Sequence, residues 1–100
     1  MQKQQAEHFH ADSVQEFLHE HGFTHLRATK RGALVTVVSG PKDEPVPHAR
    51  FRRDTVHLWL MEMPTHTGRW QRTPFRDQLD KLLQSLVEDF SWTLTPILPE

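Results

Sequence analysis

An α+β fold, with a single antiparallel sheet of five to six strands and two helices packed on one face, follows from three features of this 100-residue chain. One segment near the start and a longer one near the end repeat apolar residues at helical spacing. Between them lie short runs rich in branched and aromatic residues. Glycine- and proline-containing turns separate those runs. The expected order is α-β-β-β-β-β-α-β, an antiparallel layer with its helices gathered on one side. A chain of this length fits one domain and buries enough surface for a single core. Its 36% hydrophobic content is concentrated in periodic blocks, which argues against disorder outside the ends.

Residues 1–11, MQKQQAEHFHA, lack a periodic apolar pattern and are expected to form a flexible lead-in, with the domain spanning residues 12–98. The first helix is expected to start at Asp12. Ser13 and Glu16 form a capping-box pattern, and Val14, Phe17, Leu18 and His21 repeat at i, i+3, i+4 and i+7 before Gly22 stops the helix. FTHLRAT (23–29) and GALVTVVS (32–39) read as two strands joined through Lys30, Arg31 and Gly32. GPKDEPVP (40–47) reads as a loop, because its prolines cannot donate to a ladder.

The stretch HARFRRDTVHLWLMEM (48–63) changes the phase of its apolar alternation near Arg53 and Asp54, so a turn or bulge must absorb the change. A two-residue turn there sets Arg52 opposite Thr55, Phe51 opposite Val56, Arg50 opposite His57, Ala49 opposite Leu58 and His48 opposite Trp59. In that register Ala49, Phe51, Val56, Leu58 and Leu60 face the core. His48, Arg50, Arg52, His57 and Trp59 face outward, followed on the same side by Met61 and Met63. Three large apolar side chains in succession on an open face want cover, whether from the amino-terminal segment, a bend of the sheet, a second copy or another protein.

PTHTG (64–68) reads as a turn and RWQR (69–72) as a returning strand. TPFRDQLDKLLQSLVEDF (73–90) carries the strongest helical pattern, with Thr73 as cap, Pro74 at the first helical position and an apolar stripe of Phe75, Leu79, Leu82, Leu83, Leu86, Val87 and Phe90. SWTLTPIL (91–98) reads as a final strand, with Trp92 and Leu94 on one face.

The net charge is −1, but its distribution along the chain is uneven. Residues 48–76 hold Arg50, Arg52, Arg53, Arg69, Arg72 and Arg76 against Asp54 and Glu62. Beyond Arg76 only Lys81 is basic, among Asp77, Asp80, Glu88, Asp89 and Glu100. Such polarity either attracts an anionic ligand or lets neighbouring elements neutralise each other. With no cysteine, disulfides and thiolate chemistry are excluded. The amino terminus has no apolar run of signal-peptide length and no run approaches a membrane span, so the chain reads as cytoplasmic and not bound to membrane.

The eight histidines invite a metal reading. His19 and His21 lie two apart on a helix and point in different directions, and His48 and His57, diagonal in the ribbon, lack an acidic third ligand. No metal or other cofactor is expected. No phosphate loop, nucleophile elbow or zinc-protease helix is present, so no catalytic residue is assigned. The leading expectation is a non-enzymatic interaction module whose open sheet face binds a protein partner or forms a homodimer. The binding residues are His48, Arg50, Arg52, His57, Trp59, Met61 and Arg69. One alternative is a nucleic-acid-binding sheet, with Arg50, Arg52, Arg69 and Arg72 on phosphates and Trp59 or Trp70 stacked on a base. Another is a small metal-assisted hydrolase or nuclease using His48 or His57 with Glu62.

Overall fold

The computed structural model describes residues 5–94. Helix α1 (His8–Glu20) is followed by strands β1 (Arg27–Arg31), β2 (Leu34–Ser39), β3 (Val46–Arg53), β4 (Trp59–Pro64) and β5 (Trp70–Asp77), then helix α2 (Leu79–Asp89) and a 3₁₀ turn at Ser91–Leu94. The strands form one antiparallel sheet in the order β1-β2-β3-β4-β5, each paired with its neighbours in sequence. Both helices cover the same face. Ala11, Val14 and Leu18 of α1 and Leu82, Leu83 and Leu86 of α2 share one core with Val35, Val37, Ala49, Phe51, Trp59 and Met61 of the sheet. The expected α+β class and layout are what the structure has.

Several boundaries differ from the sequence expectation. Helix α1 begins four residues before Asp12, with Glu7 as its N-cap, and His10 Nδ1 accepts a hydrogen bond from the Glu7 N–H at 2.9 Å. Ser13 and Glu16 therefore lie inside the helix. Ahead of it, Ala6 is buried, and its N–H donates to the Gly32 carbonyl at 2.9 Å. Among the described residues, 5–11 thus belong to the fold. The helix ends as expected, with His21 Nδ1–H donating to the Phe17 carbonyl and Gly22 at a φ of +92°.

At the other end, residues 73–77 extend β5 instead of opening α2, which starts at Leu79. Leu60 pairs with Arg76 and Glu62 with Arg72, so Thr73, Pro74 and Phe75 bulge opposite Met61. Pro74 cannot donate to a ladder, and an edge-strand bulge is where a sheet accepts it. The Thr73 hydroxyl fills in, donating to the Met61 carbonyl at 2.8 Å and accepting from the Phe75 N–H. Phe75 is consequently 39% exposed and meets Phe90 edge-on. Residues 91–94 form the 3₁₀ turn in place of the expected sixth strand, and the rest of that strand lies outside the described residues.

The largest correction is the β3–β4 register. Arg50 pairs with Glu62, Phe51 with Met61, Arg52 with Leu60 and Arg53 with Trp59, around a loop of residues 54–58. Relative to a two-residue turn, β4 has slid by five positions. Five is odd, so every β4 side chain changes face. The longer loop has its own closing bonds: the N–H groups of Asp54 and Thr55 both donate to the Leu58 carbonyl, and the Leu58 N–H donates to Thr55 Oγ1. Trp59 and Met61 enter the core, Leu60 and Glu62 move to the open face, and Val56 is left 51% exposed in the loop.

Candidate functional site

The face of the sheet turned away from the helices is assembled by alternation along five strands. Pairing places Arg27, Thr29 and Arg31 of β1 beside Val38, Thr36 and Leu34 of β2. Thr36 and Leu34 in turn lie beside Arg50 and Arg52 of β3. Glu62 and Leu60 of β4 come next, then Arg72 and Arg76 of β5, with Trp70 opposite Pro64. Arginines thus occupy β1, β3 and β5, while β2 and β4 carry hydroxyl and aliphatic side chains and a single carboxylate.

That carboxylate is the centre of the face. Glu62 is 2% exposed, and three guanidiniums converge on it. Arg50 Nε donates to Oε1 at 2.7 Å, while the Nε atoms of Arg52 and Arg72 lie 3.6 Å from Oε2. Arg50 is clamped further by the Trp70 ring, 4.3 Å from its guanidinium carbon. Exposure rises outward, with side chains 16% exposed at Arg50, 35% at Arg52 and 73% at Arg72. Glu62 compensates one of these cations, so the cluster retains positive charge. The Nε of Arg52 is buried without a hydrogen-bond partner. Arg76 is committed elsewhere, gripping Asp54 Oδ2 through Nε at 2.7 Å and Nη2 at 2.6 Å, and the Arg27 guanidinium donates to the Gly40 carbonyl.

The opposite layer has the opposite sign. Asp12, Glu16 and Glu20 of α1 and Asp80, Glu88 and Asp89 of α2 are all exposed on the helical side, where Lys81 is the lone basic residue of α2. A net charge of −1 therefore conceals a basic sheet face and an acidic helical face. Packed layers sit roughly 10 Å apart, comparable to the Debye length at physiological salt, so the sheet face presents its own field to solvent.

The residues expected to bind are dispersed. Arg50 and Arg52 lie on the open face as expected. Trp59, 2% exposed, is on the helical side, covered by the first turn of α1: its ring meets His10 edge-on at 4.9 Å and the Arg53 guanidinium at 5.8 Å. Burial and the nearby Arg53 cation hold the His10 pKa below its ordinary value, against the weaker upward pull of Glu7. Met61 is fully buried under both helices. His57 and Arg69 are exposed in the loops at opposite ends of β4.

His48 is the extra residue of a bulge in β3, since Val37 pairs with Ala49 and Val38 with Pro47. The bulge turns His48 into the helical side, 2% exposed. There its Nδ1–H donates to the Thr93 carbonyl at 2.6 Å, leaving Nε2 as acceptor for the Ser39 hydroxyl at 2.7 Å. His25 Nε2–H donates to the Leu94 carbonyl at 2.7 Å, and the two imidazoles meet edge-on. Burial lowers the His48 pKa, opposed by the Thr93 carbonyl and assisted by the nearby His25. These contacts fix the terminal 3₁₀ turn on the sheet.

The sheet thus separates His48 from Glu62, and His57 sits in a loop away from both. The arrangement needed for His-assisted hydrolysis is not brought together. Among the described residues, no group of three or more His, Cys, Asp or Glu side chains is disposed to hold a metal, and no helix is long and apolar enough to cross a membrane. The binding set expected from the sequence leaves out Arg31 and Arg76, which appear there only in a strand connection and in the basic stretch 48–76, and Arg72 is assigned to phosphate only in the nucleic-acid alternative. For Arg31 the signal is readable, because RATKR alternates Arg27, Thr29 and Arg31 against Ala28.

Comparison of the chain with protein-family models, with characterised proteins and with solved structures gives no match.

Proposed function

We propose that this chain is a non-enzymatic binding module whose open sheet face engages an anionic partner. The observation that carries the reading is the segregation of charge, with arginine on alternate strands of one face and carboxylates on the helices behind it. Guanidinium forks match carboxylate and phosphate oxygens in pairs, and their weak hydration lowers the cost of bringing them to an interface. Glu62 shows the chemistry on a small scale, as an anion held by three guanidiniums within the same face. A protein partner or second copy docked on aromatic and Met anchors has less support, because Trp59 and Met61 are core residues.

Retention on a heparin matrix tests the reading. A protein of net charge −1 with evenly mixed charge passes through at low salt, whereas a segregated basic face holds it until salt is raised. Arg31→Gln with Arg72→Gln is expected to lower the eluting salt, since both side chains are exposed. Passage of the unaltered protein through the matrix at low salt would sink the proposal.

A further inference from the structure

We infer that the anionic partner is a single-stranded nucleic acid laid across the strands; this rests on the binding-face reading above. Three features select that ligand class from other anions. The first is reach. Arginines on β1, β3 and β5 extend the positive charge across four strand spacings, roughly 19 Å, which suits a linear polyanion with regularly spaced charges better than a single phosphate group. The second is residue type. Every strand cation on this face is arginine, whose planar fork takes two phosphate oxygens at once. The spaces between hold Thr29 and Thr36, hydroxyls able to bond phosphate or sugar, alongside the half-buried Leu34 and Leu60. The third is Trp70, half-buried beneath Arg50 at one end of β5, an aromatic and guanidinium pair of the kind on which unpaired bases stack.

The same geometry disfavours a duplex. Reading the major groove takes an inserted helix or a two-stranded ribbon, and here both helices lie behind a five-stranded sheet. A broad open face receives a strand whose bases are already unpaired.

Fluorescence anisotropy distinguishes the outcomes. The probes are a labelled oligouridylate of about 15 nucleotides, within the range one small domain covers, a duplex of the same length, and a labelled polyglutamate of matching charge. The expected result is binding to the single strand in preference to the other two. Its dependence on log salt should flatten by about 0.7 for each phosphate that Arg31→Gln or Arg72→Gln leaves without a cation. Trp70→Leu should weaken oligouridylate binding while leaving that salt slope unchanged, which separates stacking from charge. Equal or tighter binding of polyglutamate overturns the nucleic-acid inference and leaves the anion-binding face standing, with an acidic protein as partner. Preference for the duplex overturns the single-strand geometry. Failure of all three probes to bind at low salt overturns the inference and the binding-face reading together.

Discussion

Replacing Trp59 by alanine, and Val56 by alanine in a second variant, discriminates between two registers of the β3–β4 ribbon. With a two-residue turn Val56 is a core residue opposite Phe51 and Trp59 is on the surface. In the structure Met61 takes the place opposite Phe51, Trp59 is 2% exposed and Val56 is 51% exposed. A buried tryptophan removes roughly 150–250 Å² from water, worth about 4–6 kcal/mol at 25 cal/mol/Å² as an upper figure. Truncation of such residues costs about 3–5 kcal/mol, because the cavity collapses only in part. Stability totals about 5–15 kcal/mol for small domains, so Trp59→Ala removes a large share or unfolds the chain outright. Urea unfolding followed by circular dichroism reads the effect. With a slope of about 1–2 kcal/mol per molar, a cost of about 3–5 kcal/mol lowers the midpoint by roughly 1.5–5 M in Trp59→Ala. Val56→Ala should stay within about 0.5 kcal/mol of the unaltered protein, as an exposed loop position does. If Val56→Ala costs more than Trp59→Ala, the observed register and the face assignments built on it are wrong.

Two further predictions concern charge. Glu62→Gln leaves Arg50, Arg52 and Arg72 without their shared counter-ion. The cost should be about 1–3 kcal/mol, below that of breaking a fully buried pair because Arg52 and Arg72 can turn to water. The same change should tighten oligouridylate binding, so denaturation and anisotropy should move in opposite directions; weaker binding by a folded Glu62→Gln protein would contradict the proposed face. The second prediction is pH-dependent. Burial holds the pKa values of His48 and His10 below their ordinary 6.5, so below that pH the unfolded chain binds more protons than the folded one. Their contribution to stability is complete above about pH 6.5 and is lost as the pH falls toward the depressed folded values. Urea midpoints at pH 8 and pH 5.5 should therefore differ, and the difference should shrink in His48→Gln. An unchanged difference in that variant would remove His48 from the account.

The misplaced residues follow from contacts between segments distant in sequence. The helical periodicity from Val14 to Leu18 is readable, but the extra turn at its start is not. His8 and His10 are polar and Phe9 is 61% exposed, so nothing periodic marks them. Without that turn Trp59 has no cover, and a surface position looks natural for it. The register error completes the picture. A two-residue turn and the loop at 54–58 both close the ribbon, and the choice between them rests on which β4 residues find apolar neighbours. At the C-terminal helix, Thr-Pro satisfies a helix start as readily as an edge-strand bulge. The Thr73 bond to the Met61 carbonyl, 12 residues away in sequence, decides it.

By itself the sequence determined the class of the fold and the existence of both helices and five strands. It also determined that Arg50 and Arg52 share the face opposite to Ala49 and Phe51. These follow from alternation, helical period and punctuation, all local properties of the chain. Tertiary structure alone decided the slide of β4, the burial of Trp59, Met61 and His48, and the gathering of Arg50, Arg52 and Arg72 around Glu62. Each of those depends on which strand position lies opposite which. A slide by an odd number of residues exchanges the two faces of a strand without altering its local pattern, so only the packed sheet selects between them.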